Sequence, residues 1–147
     1  MAWLERCVRE GLDAVGEVVF PANDVGAPGW REVGAVEHGL AWMRELPPEP
    51  RRLLAALFVL VELAGPLLLT GSPRRLSRLP PERRLRLVER LRASKRYPLR
   101  VIGDSLKSVA TIAWLSDRRA LAWLGVFKAC EHPEDPFALD ERLGALR

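Results

Sequence analysis

The run Leu53-Leu54-Ala55-Ala56-Leu57-Phe58-Val59-Leu60-Val61-Glu62-Leu63-Ala64-Gly65-Pro66-Leu67-Leu68-Leu69-Thr70 is the stretch on which the fold turns. Its length alone is compatible with a membrane span. Glu62 sits near its middle, and Gly65-Pro66 follows. A carboxylate at the centre of a bilayer costs about 2.5 kcal/mol or more. Proline removes a helical hydrogen bond and crowds the preceding turn. The run therefore reads as a buried central helix, Arg51 to Leu69, with a membrane-inserted segment as the alternative.

The same helical period extends on both sides. Upstream, Trp3, Leu4, Cys7, Val8, Leu12, Val15, Val18 and Val19 recur every three or four residues, so one helix face is apolar. Pro21 ends that helix, and Asn23, Asp24, Gly26, Pro28 and Gly29 supply loop chemistry. Val33 to Leu46 is a second helix with Val36, Leu40 and Met43 on one side, and Pro47-Pro48 stops it. Downstream, Gly71-Ser72-Pro73 breaks the chain. Leu79-Pro80-Pro81-Glu82 is a helix start, with proline pre-set for the first turn and Glu82 suited to the positive end of the dipole. Leu85, Val88 and Leu91 mark its apolar face as far as Ala93. Pro98 opens the next helix, whose stripe is Leu99, Ile102, Leu106, Val109 and Ile112. Asp117 is placed to cap a short helix, Arg118 to Lys128. The tail from Glu131 is acidic and carries prolines, with a last turn or two from Pro136 to Leu146. Alternating strand runs are absent. The expectation is an all-α chain, one compact domain over residues 1–147, of about six helices around the central apolar one.

A chain of 147 residues suffices for one core. Hydrophobic residues at 48% and charged residues at 29% place it among globular proteins, not disordered ones. Glu5, Arg6, Arg9, Glu10, Asp13 and Glu17 are scattered through the first twenty residues, which leaves no uncharged stretch for a secretory signal. A cytoplasmic location is the expectation. Cys7 and Cys130 then read as reduced thiols, although nothing in their spacing excludes a pair.

Charge is uneven. Residues 74–100 hold eleven Arg or Lys against Glu82 and Glu89, a balance of +9 in a chain of net +4, so the remainder is −5. A partner with an acidic face, or the acidic tail itself, complements such a segment. A nucleic acid is the less suitable partner: Tyr97 is the lone aromatic there, and the acidic remainder repels a polyanion. Arg83, Arg84, Arg86, Arg90 and Arg92 read most simply as the solvated side of a helix.

Catalytic motifs are missing. The sequence has no G-x-G-x-x-G with a following acid, no P-loop, no C-x-x-C and no H-E-x-x-H. His38 reads as a surface or satisfied histidine. Cys130-Glu131-His132-Pro133 offers too few ligands for a metal. Of the five tryptophans, Trp114 and Trp123 are expected in the core. Trp30, in a Gly/Pro loop, is either a core or lid residue or an anchor for a partner.

The order of segments carries one resemblance. Val19-Phe20-Pro21, a Gly/Pro loop and an apolar helix ending Leu69-Thr70-Gly71 precede Leu76-Ser77-Arg78-Leu79-Pro80-Pro81-Glu82-Arg83. Ser94-Lys95-Arg96-Tyr97-Pro98-Leu99-Arg100, Leu106-Lys107-Ser108, Trp114-Leu115-Ser116-Asp117 and Leu124-Gly125 follow. This set resembles the helical region ahead of the flavin domain in long-chain fatty alcohol oxidases and related glucose–methanol–choline oxidoreductases. It is also similar to the small subunit related to gluconate 2-dehydrogenase subunit 3. The likeness spans roughly residues 10–130 and is strongest over 76–125. The family's aromatic ending after the late glycine is replaced here by Gly125-Val126-Phe127.

The resemblance implies a non-catalytic accessory subunit that binds and stabilises a separately encoded FAD-dependent alcohol- or sterol-type oxidoreductase. FAD would reside in that large partner subunit, and this chain would hold no cofactor, metal or catalytic residue. The expected contact is the Tyr97–Asp117 helix and its basic lead-in: Trp30, Arg96, Tyr97, Arg100, Lys107, Trp114 and Asp117. The alternative role is a peripheral membrane adaptor, using residues 53–69 with the arginines that follow.

Overall fold

The computed structural model describes residues 2–23 and 26–125. Proline and glycine set most of the boundaries. Helix α1 (Ala2–Val19) ends ahead of Pro21, and α2 (Ala35–Glu45) starts from Gly34. Helix α3 (Pro48–Leu63), α5 (Pro81–Arg92) and α6 (Tyr97–Leu115) each carry proline in the first turn, where the missing N–H costs nothing. A 3-10 turn (Leu76–Arg78) precedes α5, and α7 (Arg118–Trp123) follows α6. Among the described residues the architecture is all-helical, seven α-helices in one compact domain. The last helix, expected to run to Lys128, ends at Trp123, where Leu124 is the C-cap and Gly125 turns the chain at φ 77°. The helical turn expected at 136–146 lies outside the described residues, as does any pairing of Cys130. Cys7 is a buried thiol.

The expected single helix Arg51 to Leu69 is instead two, α3 and α4 (Gly65–Thr70). Pro66 lacks the N–H that would continue the ladder, and its ring would meet the carbonyl four residues back. The ladder ends with Ala64 N–H donating to Leu60 O. Gly71 closes α4 at φ 67°, a left-handed conformation that glycine adopts without a Cβ clash, and its N–H donates to Leu67 O.

Nor is that run the centre. Helix α1 packs against α2, α3, α5, α6 and the 3-10 turn. It buries Cys7, Val8, Leu12, Ala14 and Val15 in a core shared with Phe58, Leu76, Leu87, Leu106, Val109 and Ala113. Helix α3 buries Phe58, Val61 and Glu62 but exposes Leu53, Leu60 and Leu63. Small residues set the close crossings. An alanine Cβ at Gly39 would lie 2.9 Å from Leu12, and one at Gly103 would lie 2.8 Å from the Arg92 backbone N.

Glu62 is fully buried and holds the 3-10 turn onto α3. The Ser77 N–H donates to Glu62 Oε2 at 3.0 Å, and the Ser77 hydroxyl donates to Oε1 at 2.5 Å. Burial pushes the Glu62 carboxyl above its usual range, against the downward pull of the two Ser77 bonds. A carboxyl raised in the folded state adds stability below its unfolded value and loses it as pH rises through the folded value. Glu62→Gln keeps both contacts without charge, accepting from the Ser77 N–H and donating to its hydroxyl oxygen. The variant is therefore expected to gain stability over the wild type from about pH 4 to neutrality. Urea midpoints at the two ends of that range measure it; a wild type that gains on the variant toward neutrality refutes it.

Candidate partner interface

Helix α6 has an inner and an outer side. Leu106, Val109, Ala110, Ala113 and Trp114 face the core. The outer side carries Tyr97, 68% exposed, then Arg100, Val101, Asp104, Lys107, Ser108 and Ile112, all exposed. The Arg100 guanidinium carbon stands 5.7 Å from the centre of the Tyr97 ring, a cation–π distance. Arg92 Nε donates to Asp104 Oδ1 at 3.2 Å, which ties this row to the end of α5. Arg96 is the exposed residue that starts α6, where its carbonyl accepts from Leu99 and Arg100.

Four of the seven expected contact residues, Arg96, Tyr97, Arg100 and Lys107, thus lie exposed along one helix. The other three do not join them. Trp30 is 2% exposed and Trp114 4%, so both side chains lie in the core of this chain. The Trp30 indole lies over Gly16, its Nε1–H donates to Asp13 Oδ1 at 2.9 Å, and its backbone N–H donates to Phe20 O. Trp114 donates from Nε1 to Pro28 O at 2.8 Å and stacks on Phe20 with ring centres 4.7 Å apart. Both tryptophans close the Phe20–Trp30 loop onto the helices. Asp117 caps α7, accepting from Arg119 N–H at 2.8 Å. The Arg119 guanidinium beside it holds the Asp117 carboxyl below the usual carboxylate range. Trp123, expected in the core, is 47% exposed, its ring nearly perpendicular to that of Trp114 with centres 6.3 Å apart.

Beside this loop lies an open apolar cleft of about 380 Å³, walled by Phe20, Pro28, Thr111, Trp114, Trp123 and Leu124. On the loop's other flank the polar groups are engaged with one another. Glu17 accepts from Arg31 Nε and, at 2.8 Å, from Arg84. On α2, the buried Nδ1 of His38 has no hydrogen-bond partner. Among the described residues no group of three or more His, Cys, Asp or Glu side chains is placed to hold a metal ion.

Sequence reasoning missed Val101 and placed Ile112 inside. Val101 follows Tyr97 by four residues, the interval that aligns side chains on one helix face, and that spacing was the available signal.

Together the fold and this face define a class: an all-helical domain whose α6 presents a mixed apolar and basic row to the outside. Comparison with protein-family models, with curated proteins and with solved structures finds no match to this chain.

Proposed function

We propose that this chain is a non-catalytic accessory subunit that binds and stabilises a separately encoded FAD-dependent alcohol- or sterol-type oxidoreductase. The observation that supports this reading is the outer row of α6. It falls within residues 76–125, where the resemblance to the flavoprotein-associated helical region is strongest. Tyr97, Val101 and Ile112 expose apolar surface, and Arg96, Arg100 and Lys107 add positive charge beside it. Aromatic and arginine side chains are the residues that most often carry binding energy at interfaces. An obligate subunit contact buries about 2,000 Å² or more, so the α6 row would be the middle of a larger footprint.

Co-expression with a flavin oxidoreductase that lacks its own helical N-terminal region, followed by gel filtration, is the direct test. The two chains are expected to co-elute with flavin absorbance in the same peak. A flavoprotein that elutes alone, soluble and fully active, ends the proposal. Val101→Glu is expected to weaken the complex by about tenfold or more, roughly 1.4 kcal/mol. Val101 is 41% exposed, so the isolated variant should melt like the wild type. Calorimetric titration of the two purified subunits measures the change.

A further inference from the structure

A second outer surface lies on different helices, α3 and α4. Leu53 is 72% exposed, Leu60 50%, Leu63 37% and Leu67 56%, and Ala56 between them is also exposed. Residues 53, 56, 60 and 63 alternate by three and four along α3, the interval that aligns side chains in one row on a helix, and Leu67 lies on α4 just beyond the break. At 1.5 Å per residue the α3 part of the row is about 15 Å long. An apolar row of this kind on a protein surface calls for a cover.

The surrounding charge indicates which cover. Between residues 50 and 81 the ionisable groups are Arg51, Arg52, Arg74, Arg75, Arg78 and Glu62. Glu62 is buried beneath the row and bonded to Ser77, so it presents no charge outward. Arg51 and Arg52 stand exposed before the leucines, and Arg74 and Arg78 stand exposed after them. Arg75 reaches Glu10 at 3.8 Å, and Glu49 in the first turn of α3 is the one exposed carboxylate of that helix. Four exposed arginines thus flank the leucines in sequence, Arg51 and Arg52 before them and Arg74 and Arg78 after, against the single carboxylate of Glu49, which stands in the register of the row four residues before Leu53.

We infer that the α3–α4 face docks on an anionic phospholipid surface, with the leucines at the level of the acyl chain boundary and the arginines among the headgroups. A helix lying in the interface sinks an apolar face about 5–10 Å and gains attraction from basic residues near anionic lipid. No helix among the described residues is long and apolar enough to cross a membrane, so this contact lies along the surface. A second copy of the chain is the poorer cover. It would bring two sets of arginines together, and one helical row is small against the roughly 1,200–2,000 Å² of a stable protein interface. The inference is independent of the flavoprotein reading, which rests on α6.

The test is flotation of the full-length chain with phosphatidylcholine vesicles, with and without phosphatidylglycerol, at low and high salt. The wild type is expected to float with the anionic vesicles at low salt, to stay down with pure phosphatidylcholine, and to be released by salt. Leu60→Glu is expected to lose the bound fraction while keeping the wild-type helical circular dichroism and melting temperature. Arg51→Gln with Arg52→Gln should weaken flotation and flatten its salt dependence. The inference is overturned if the wild type stays down with anionic vesicles at low salt, or if Leu60→Glu floats as well as the wild type. It is equally overturned if sedimentation equilibrium finds a dimer that Leu60→Glu converts to monomer, because the row would then cover a second copy.

Discussion

Gly16→Ala is expected to destabilise the fold by about 2–4 kcal/mol, against the usual sign for a glycine within a helix. Alanine is the better helix former by about 1 kcal/mol, and at an open helical position that gain would stand. At residue 16 the added Cβ would lie 2.1 Å from Trp30 Cε2 and 2.3 Å from Cδ2 and Cζ2. The indole cannot yield in place. It is fixed by its Nε1–H on Asp13, by its backbone N–H on Phe20 O and by nearly complete burial. Displacing it forfeits most of a buried tryptophan, about 3–5 kcal/mol, and the gain in propensity offsets only part of that. The melting temperature should fall by roughly 6–16 °C. A double-mutant cycle separates clash from other causes. With Trp30→Leu in place there is room for the new methyl, so Gly16→Ala should cost far less than in the wild type. Equal costs in both backgrounds would refute the account.

That contact shows why some of this protein was legible in its sequence and some was not. Helix boundaries were readable because their causes are local. Pro81 and Pro98 act through their own missing N–H, Gly71 through its own φ, and Asp117 through a side chain that reaches two residues ahead. Pro48, which reads as the stop of the preceding helix, instead opens α3 three residues before the expected start at Arg51. The centre of the fold was not readable. Residues 53–67 are apolar on nearly every side, so the run has a helical period without a phase, and nothing in it says which leucines turn outward. Helix α1 has charges on one side that fix its phase, and it takes the middle. Trp30 posed the same problem in a loop. Its destination depends on a glycine in the preceding helix, and Gly16 signals nothing until the two are brought together.

The candidate interface divides along the same line. Arg96, Tyr97, Arg100 and Lys107 were placed outside because proline and basic residues cluster at the start of an amphipathic helix, and burial along α6 follows its 3.6-residue period. Asp117 was recognised as a cap, and capping is the role its hydrogen bond displays. Trp114 lies in the core, as its place on α6 suggests, but the Pro28 carbonyl that takes its N–H is 86 residues earlier in the chain. Long-range partners of that kind leave no spacing for a sequence to reveal.

Arg84 is the clearest such case, and its loss is expected to cost about 3–5 kcal/mol. In sequence it is one of several arginines on α5, indistinguishable from Arg83 and Arg86, which are exposed. In the fold its side chain is only 14% exposed. Its Nε donates to Leu79 O at 2.8 Å, one terminal nitrogen donates to Ser77 O at 3.1 Å, and the other donates to Glu17 Oε2 at 2.8 Å. One guanidinium thus joins α5, the segment before it and α1. Arg84→Met keeps much of the apolar stem but leaves two carbonyls and one carboxylate oxygen without their donor. Arg31 still neutralises Glu17 from outside, so the carboxylate is not stranded entirely, and the lower part of the range is the expectation. Arg84→Lys tests what the geometry contributes beyond charge. A lysine can follow Glu17 but cannot present three donors in a fixed fork, and each hydrogen bond to a charged group is worth about 1.5–3 kcal/mol. Lysine should therefore recover less than half of the methionine loss. Urea unfolding at constant slope measures both variants. If lysine restores wild-type stability, charge alone holds this junction, and the three-way fork is incidental to it.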